Sequence, residues 1–279
     1  MDIREMLFAD LDFALELTTA EEWSSTRADF EELLLFDQHG SFIGMENEEP
    51  IGMVCCIPYG PFGFIGNLIV KKEYRGQGKG QKLMEYAMKY LQRRRIETIM
   101  IDAVPAAESL YERLGFRKIC RSLRLAGAVG PRISPDVRPM TDKDLLQIMN
   151  IDKIHFGANR FLFLGNSLSS EPDLSLVLEI DGVIAGYITG TRRHGAAHIS
   201  PWIMDNHLDK AGELLQTFAA VAAEPIIKLG VLETNRPALG LFQRSGLMMK
   251  SYSWRMVAGP ESYISFSDGM FAIGSPMRG

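Results

Sequence analysis

The sequence predicts an α+β protein made of two tandem copies of one strand-and-helix unit. Three observations carry that expectation. Segments recur along the 279 residues at a nearly constant offset, each copy sets a strand hairpin ahead of an amphipathic helix, and a Gly/Pro-rich stretch joins the copies.

The elements follow in order. At an offset of 134 residues, IREMLFADLD (3–12) lies over VRPMTDKDLL (137–146), with Arg4 on Arg138, Met6 on Met140 and Leu11 on Leu145. A helical piece follows in each copy. In the first it is TRADFEELLLF; in the second, Thr141 and Asp144 form a start resembling a capping box for DLLQIMNI. SFIGMENEEPIGMV (41–54) then lies over SLVLEIDGVIAGYI (175–188), Gly52 over Gly186, and both read as hairpins turning at Asn47 or at Asp181-Gly182. The next strand, FIGNLIV (64–70), lies over HISPWIM (198–204). After it the offset falls to 131. The apolar face Leu83, Met84, Ala87, Met88 and Leu91 maps onto Leu214, Leu215, Phe218, Ala219 and Ala222, and LYERLGF (110–116) maps onto LFQRSGL (241–247). The missing residues fall between Met204 and Leu214. There the first copy has RGQGKG (75–80), whereas the second reads DNHLDKAGE with one unmatched glycine, Gly212. The expected division is 1–127, a linker 128–136 within GAVGPRISPD, and 137–279. The tail ESYISFSDGMFAIGSPMRG has no counterpart in the first copy; its apolar MFAI suits an added strand or packing on the seam. RFLFLGN (160–166) reads as core, with an inter-domain contact as the other reading.

Composition narrows the function. The chain is 46% hydrophobic and 23% charged with a formal net charge of -5. That is ordinary for a globular protein and lacks the basic excess a nucleic-acid binder needs to displace counterions. No apolar run reaches transmembrane length and the N-terminal MDIREMLFAD lacks a basic-then-apolar leader, so the expectation is a cytoplasmic protein without membrane contact. Cys55, Cys56 and Cys120 show no CxxC spacing and read as small buried hydrophobes. His155, His194, His198 and His207 show no ligand spacing on a shared helix face, so no metal is expected. His198 is either a pocket-lining side chain or an ordinary strand histidine.

The glycine loop is the chemical feature. Gly76, Gly78 and Gly80 stand between a strand-like and a helix-like run. A helix N-terminus offers unpaired amides and the positive dipole end, and glycines let a ligand approach the backbone. Arg75, Lys79 and Lys82, after Lys71 and Lys72, add positive field. A pyrophosphate fits such a loop; a Gly-rich surface turn is the plain alternative, but a turn needs one glycine and gains nothing from clustered like charge. The run is neither a Walker A loop nor a G-x-G-x-x-G fingerprint.

LIVKKEYRGQGKGQKLM (68–84), IMIDAV (99–104) and AAESLYERLGF (106–116) together resemble the GNAT superfamily of acyl-CoA-dependent N-acetyltransferases. The family's Arg/Gln-x-x-Gly-x-Gly/Ala loop is met by Arg75, Gly78 and Gly80, and its Leu-Tyr-Glu-x-Leu-Gly-Phe run by Leu110, Tyr111, Glu112, Leu114, Gly115 and Phe116. The resemblance implies two GNAT-like domains, each a mixed, mostly antiparallel sheet flanked by helices, the second degenerate. It further implies acetyl-CoA as co-substrate. The pyrophosphate would sit on the amides of Gly76, Gln77, Gly78, Lys79, Gly80 and Gln81 beside Arg75. The pantetheine arm would pair with the backbone of Leu68, Ile69 and Val70, where that strand splays from its neighbour.

By the same resemblance Tyr111 would protonate the leaving thiolate as a primary amine attacks directly in a ternary complex. Phe242 lacks that hydroxyl in the copy that also lacks the loop. An oxyanion donor is expected near Ile69 or Val70. No base is evident in GFIGNLIV; Asp102 is a candidate and also an ordinary strand-end acid. Glu21 and Glu22 fall where the family shapes its acceptor pocket, and also suit a solvated helix face. The family's Asn after the next strand is replaced by Val104, while the second copy keeps Asn235 and Arg236. The acceptor would be a small-molecule or peptide amine, and a homodimer is left open. The second reading is a non-catalytic CoA sensor or partner-binding module; a purely structural tandem domain is the third.

Overall fold

The computed structural model describes residues 1–261 and 266–279. It contains two compact units: Met1–Lys118 with Met256–Tyr263 and Met277–Gly279, and Ile119–Arg255 with Ile264–Pro276. Each is a mixed sheet flanked by helices, in keeping with the α+β expectation.

In the first unit, β1 (Asp2–Glu5), β2 (Ser41–Glu46), β3 (Glu49–Pro58) and β4 (Gly63–Val70) run antiparallel in sequence order, and β5 (Ile99–Ala103) lies parallel to β4. Helices α1 (Leu11–Ala20) and α2 (Arg27–Phe36) connect β1 to β2. The capping box at Thr26 and Asp29 starts α2: the Asp29 carboxylate accepts from the Thr26 amide at 2.7 Å. Asn47 and Glu48 take left-handed φ values of 48° and 67° and turn the β2–β3 hairpin tightly. Helix α3 (Lys79–Arg93) buries Leu83, Met84, Ala87 and Leu91, the expected stripe, against one sheet face. Glycine strand positions bring it close: a Cβ on Gly63 would stand 2.6 Å from Leu91 Cδ1. Helix α4 (Glu108–Arg113) follows β5.

The second unit repeats the plan: β7 (Val137–Pro139), α5 (Leu145–Phe156), α6 (Phe161–Ser170), β8 (Leu176–Ile180), β9 (Val183–Arg193), β10 (Ala196–Met204), α7 (Ala211–Ala222), β11 (Ile227–Leu232), α8 (Arg236–Arg244) and β12 (Met248–Ala258). The matched Arg4 and Arg138 have one structural job. Arg4 forks onto Asp10 at 2.7 Å on both oxygens, and Arg138 forks onto Asp144 at 2.8 and 2.9 Å. Each carboxylate also accepts the amide that opens its helical segment, from Leu7 or Thr141. These bonds to the guanidinium hold Asp144 down at about 2 and move Asp10 in the same direction. RFLFLGN opens α6, with Phe163 and Leu164 buried.

The compact units differ from the linear division 1–127 and 137–279, and strand pairing is the reason. β6 (Arg117–Gly127), the last strand of the first copy, lies antiparallel to β11, with Ile227 opposite Gly127 and Leu232 opposite Ser122. β12, the last strand of the second copy, ends among residues counted with the first unit, where the strand order runs from β5 to β12. The tail supplies β13 (Met270–Ala272), an added strand as one reading of MFAI expected; 262–265 of the same tail lie outside the described residues. Among the described residues no helix is long and apolar enough to cross a membrane, and no cluster of three or more His, Cys, Asp or Glu side chains could hold a metal.

Candidate active site

The glycine loop sits between a short 3₁₀ turn (Lys72–Tyr74) and α3. Gly76 and Gly78 have φ of 75° and 74°, and Gly78 is the left-handed N-cap of α3. That conformation is cheap only for glycine. A Cβ at either position would meet nothing within 4 Å, so the loop exposes backbone to open space. The first amides of α3 have no partner within the helix and point out of its N-terminus. Such an arrangement can receive an anionic group.

The loop's cations are arranged differently from the positive cluster expected. Arg75 donates through Nε to the Val70 carbonyl at 2.8 Å and pairs with Glu21, while Lys79 Nζ stands 2.5 Å from Glu46. Both tie the loop to neighbouring carboxylates. The amides and the exposed Lys72 and Lys82 therefore carry most of the attraction for an anion. Glu21, which suits either an acceptor pocket or a solvated helix face, is the partner of Arg75.

Strand β4 leads from this loop to the middle of the sheet. Its parallel pairing with β5 covers Gly63, Phe64 and Ile65 and stops at Ile65–Ile101. Beyond Ile65 the edge facing β5 is unpaired, which is the splay the resemblance implies. Leu68 and Ile69 lie on this stretch; Val70 ends it, its carbonyl held by Arg75. Opposite β3 the strand carries one extra residue, since Cys55 faces Gly66 while Met53 faces Ile69. Asn67 forms this bulge at φ 52°. Asp102 sits one residue past the last β4–β5 pair. Tyr111, on α4, is buried with its ring 6.0 Å edge-on to Phe116, and burial pushes its phenol up to about 12. Sequence reasoning missed Asn67; a polar residue inside an apolar strand, matched by Pro201 in the second copy, was the available signal.

The second unit answers the question its sequence raised. β10 pairs in parallel with β11 from Ala197 to Ile199 and then leaves it, as β4 leaves β5. Here the gap is filled. β13 pairs with β10 at Trp202 and Ile203, and the Ile273 amide donates to the Gly230 carbonyl of β11 at 3.0 Å. Asn235, retained in this copy, donates through Nδ2 to the carbonyls of Asp268 and Met270 at 3.0 and 2.9 Å. Phe271 packs against Trp202 and, edge-on, against Phe242, the residue at the Tyr111 position. The chain's own strand occupies this cleft.

Two family models match the chain: the Acetyltransferase (GNAT) family over residues 6–116 and an Acetyltransferase (GNAT) domain over 148–271. The chain belongs to the GNAT acetyltransferases. This tandem GNAT is 28% identical over 182 residues to a holothin acyltransferase of a Pseudoalteromonas species, covering 64% of this chain and 60% of that protein. It is 38% identical over 93 residues to N-alpha-acetyltransferase 30 of Schizosaccharomyces pombe, covering 30% and 60% of the two chains. It thus spans 60% of the length of either curated relative. A solved Pyrococcus horikoshii acetyltransferase candidate superposes with a TM-score of 0.85 at 22% identity, covering 100% of this chain and 95% of its own. The fold of that structure is therefore shared along the whole chain.

Proposed function

We propose that the first unit transfers an acetyl group from acetyl-CoA to a primary amine by direct attack in a ternary complex, and that the second unit binds no CoA. One contrast carries this reading: the splay beside β4 is lined by unpaired strand edge and ends at an open glycine cradle, while the matching splay beside β10 is filled by β13. The residues fit the co-substrate. Amides from Gly76 to Gln81 would take the diphosphate, and the free edge of β4 the amide-rich arm. Acetyl-CoA supplies an activated thioester. The amine lone pair forms the C–N bond, the C–S electron pair leaves on sulfur, and one amine proton ends on that sulfur. Burial keeps Tyr111 protonated, so its role is to donate a hydrogen bond to the developing thiolate. A small molecule or a peptide N-terminus remains the acceptor class.

Gly78→Glu tests the reading. The new side chain has room, since nothing lies within 4 Å, but its carboxylate stands at the helix amides. The left-handed φ adds roughly 1–2 kcal/mol of strain, too little to unfold the chain. Calorimetry is expected to show CoA affinity weakened at least 10²-fold, with circular dichroism unchanged. Undiminished affinity would remove the cradle from the account. Tight CoA binding by the native chain without thiol release across an amine panel would instead favour a CoA sensor.

A further inference from the structure

Asn67 is 4% exposed, and its Oδ1 has no hydrogen-bond partner. Its Nδ2 donates to weak sulfur acceptors, Met277 Sδ at 3.5 Å and the buried Cys55 thiol. A buried amide oxygen left unpaired is costly unless something else uses it. The left-handed backbone, at φ 52°, favours Asn or Gly at this position, but it gives the side-chain oxygen nothing to do. The second copy also carries one extra residue at the matching place, with Ile199 opposite Gly190 and Trp202 opposite Ile188, but there the equivalent residue is Pro201, which has neither the positive φ nor an amide. The amide is thus missing from the copy that also lacks the glycine loop and the tyrosine hydroxyl.

Its location gives it a use. Gly63 faces α3, since its Cβ would meet Leu91; Gly66, three strand residues on, faces the other way, and its Cβ would fall 2.6 Å from the Met277 backbone. The loop and α3 lie on one face, so a thioester extended along β4 leaves the opposite face for the incoming nucleophile. That face carries Asn67 and the tail. The tail is fastened there: Tyr59 donates to the Arg278 carbonyl at 2.7 Å, and Arg278 pairs with Glu32 of α2.

We infer that Asn67 positions the acceptor amine, accepting one of its N–H groups at Oδ1, and that Met277 is the yielding cover that limits what stands beside it. An amine so held keeps its lone pair for the carbonyl. Methionine suits a cover because its unbranched thioether changes rotamer easily. This inference rests on the donor site proposed above.

The test uses the full chain with acetyl-CoA, following thiol release with hydroxylamine and with benzylamine as amine probes, and CoA binding by calorimetry. Asn67→Gly keeps the left-handed backbone and removes the amide. It is expected to raise the KM of both probes at least tenfold while CoA affinity stays within twofold. Asn67→Asp, which retains an oxygen acceptor at the same reach, is expected to restore most of that KM. Met277→Ala is expected to lower the KM for benzylamine at least threefold and leave hydroxylamine unchanged. An unchanged amine KM in Asn67→Gly, or a parallel loss of CoA affinity, would overturn the assignment. No thiol release by the native chain with bound CoA would overturn it together with the reading beneath. Absence of CoA binding in the native chain would remove the donor site first.

Discussion

At the scale of single residues, burial bears on the role proposed for Tyr111. A free cysteine-like thiol has a pKa near ~8.5, so full proton transfer from a phenol lifted to about 12 would run uphill by several kcal/mol. A hydrogen bond costs no such transfer. The folded value is raised, so the donor form persists as pH rises and is lost only on passing about 12. Tyr111→Phe is expected to lower kcat by about 10²-fold, the size of one lost hydrogen-bond donor at a developing anion, with CoA affinity intact. The native kcat–pH profile should show no alkaline limb belonging to Tyr111 up to pH of about 10.5. A limb that disappears in Tyr111→Phe would return the residue to general-acid duty. The tyrosine and its position were legible from LYERLGF. Its burial was not, because burial depends on packing against elements distant in sequence from that run. The unpaired Asn67 was invisible for a similar reason: an asparagine in an apolar strand says nothing about its partners until β3 and the tail are in place.

At the scale of elements, β13 explains two features that looked unrelated. Asn235 seemed misplaced in a copy without a phosphate loop, and the tail had no counterpart to align with. Asn235 in fact caps α8, accepting the Ala238 amide at 2.9 Å, while its amide group holds two tail carbonyls. A three-residue strand has no periodicity that names its partner, so pairing with β10 could not be read in advance. Asn235→Ala removes the cap and takes the donor from the buried Met270 carbonyl and the part-buried Asp268 carbonyl. The expected loss is roughly 2–3 kcal/mol, near that of a core truncation such as Phe271→Ala at roughly 3–5 kcal/mol. Urea midpoints measure both. A change below about 0.5 kcal/mol in Asn235→Ala would mean that β13 is held by its side chains alone.

At the scale of the whole molecule, duplication and divergence set the stoichiometry. The repeat, the drop in offset at the lost loop and the helix stripes were legible because they are local patterns of residue type. The assignment of β6 beside β11 was not, since each copy's last strand carries the same alternating pattern whichever neighbour it joins. Two GNAT domains invite a count of two CoA sites, but each site needs both a phosphate cradle and a free strand edge. The second unit lacks the first and covers the second with its own backbone. Reopening that cleft would break the β13 pairing, the two Asn235 bonds and the burial of Phe271 without any glycine loop to compensate. Titration calorimetry is therefore expected to return one CoA per chain, and Gly78→Glu to reduce that number to none within the accessible concentration range. A second site of comparable affinity, surviving Gly78→Glu, would show that β13 leaves its cleft and that the second unit still takes the co-substrate.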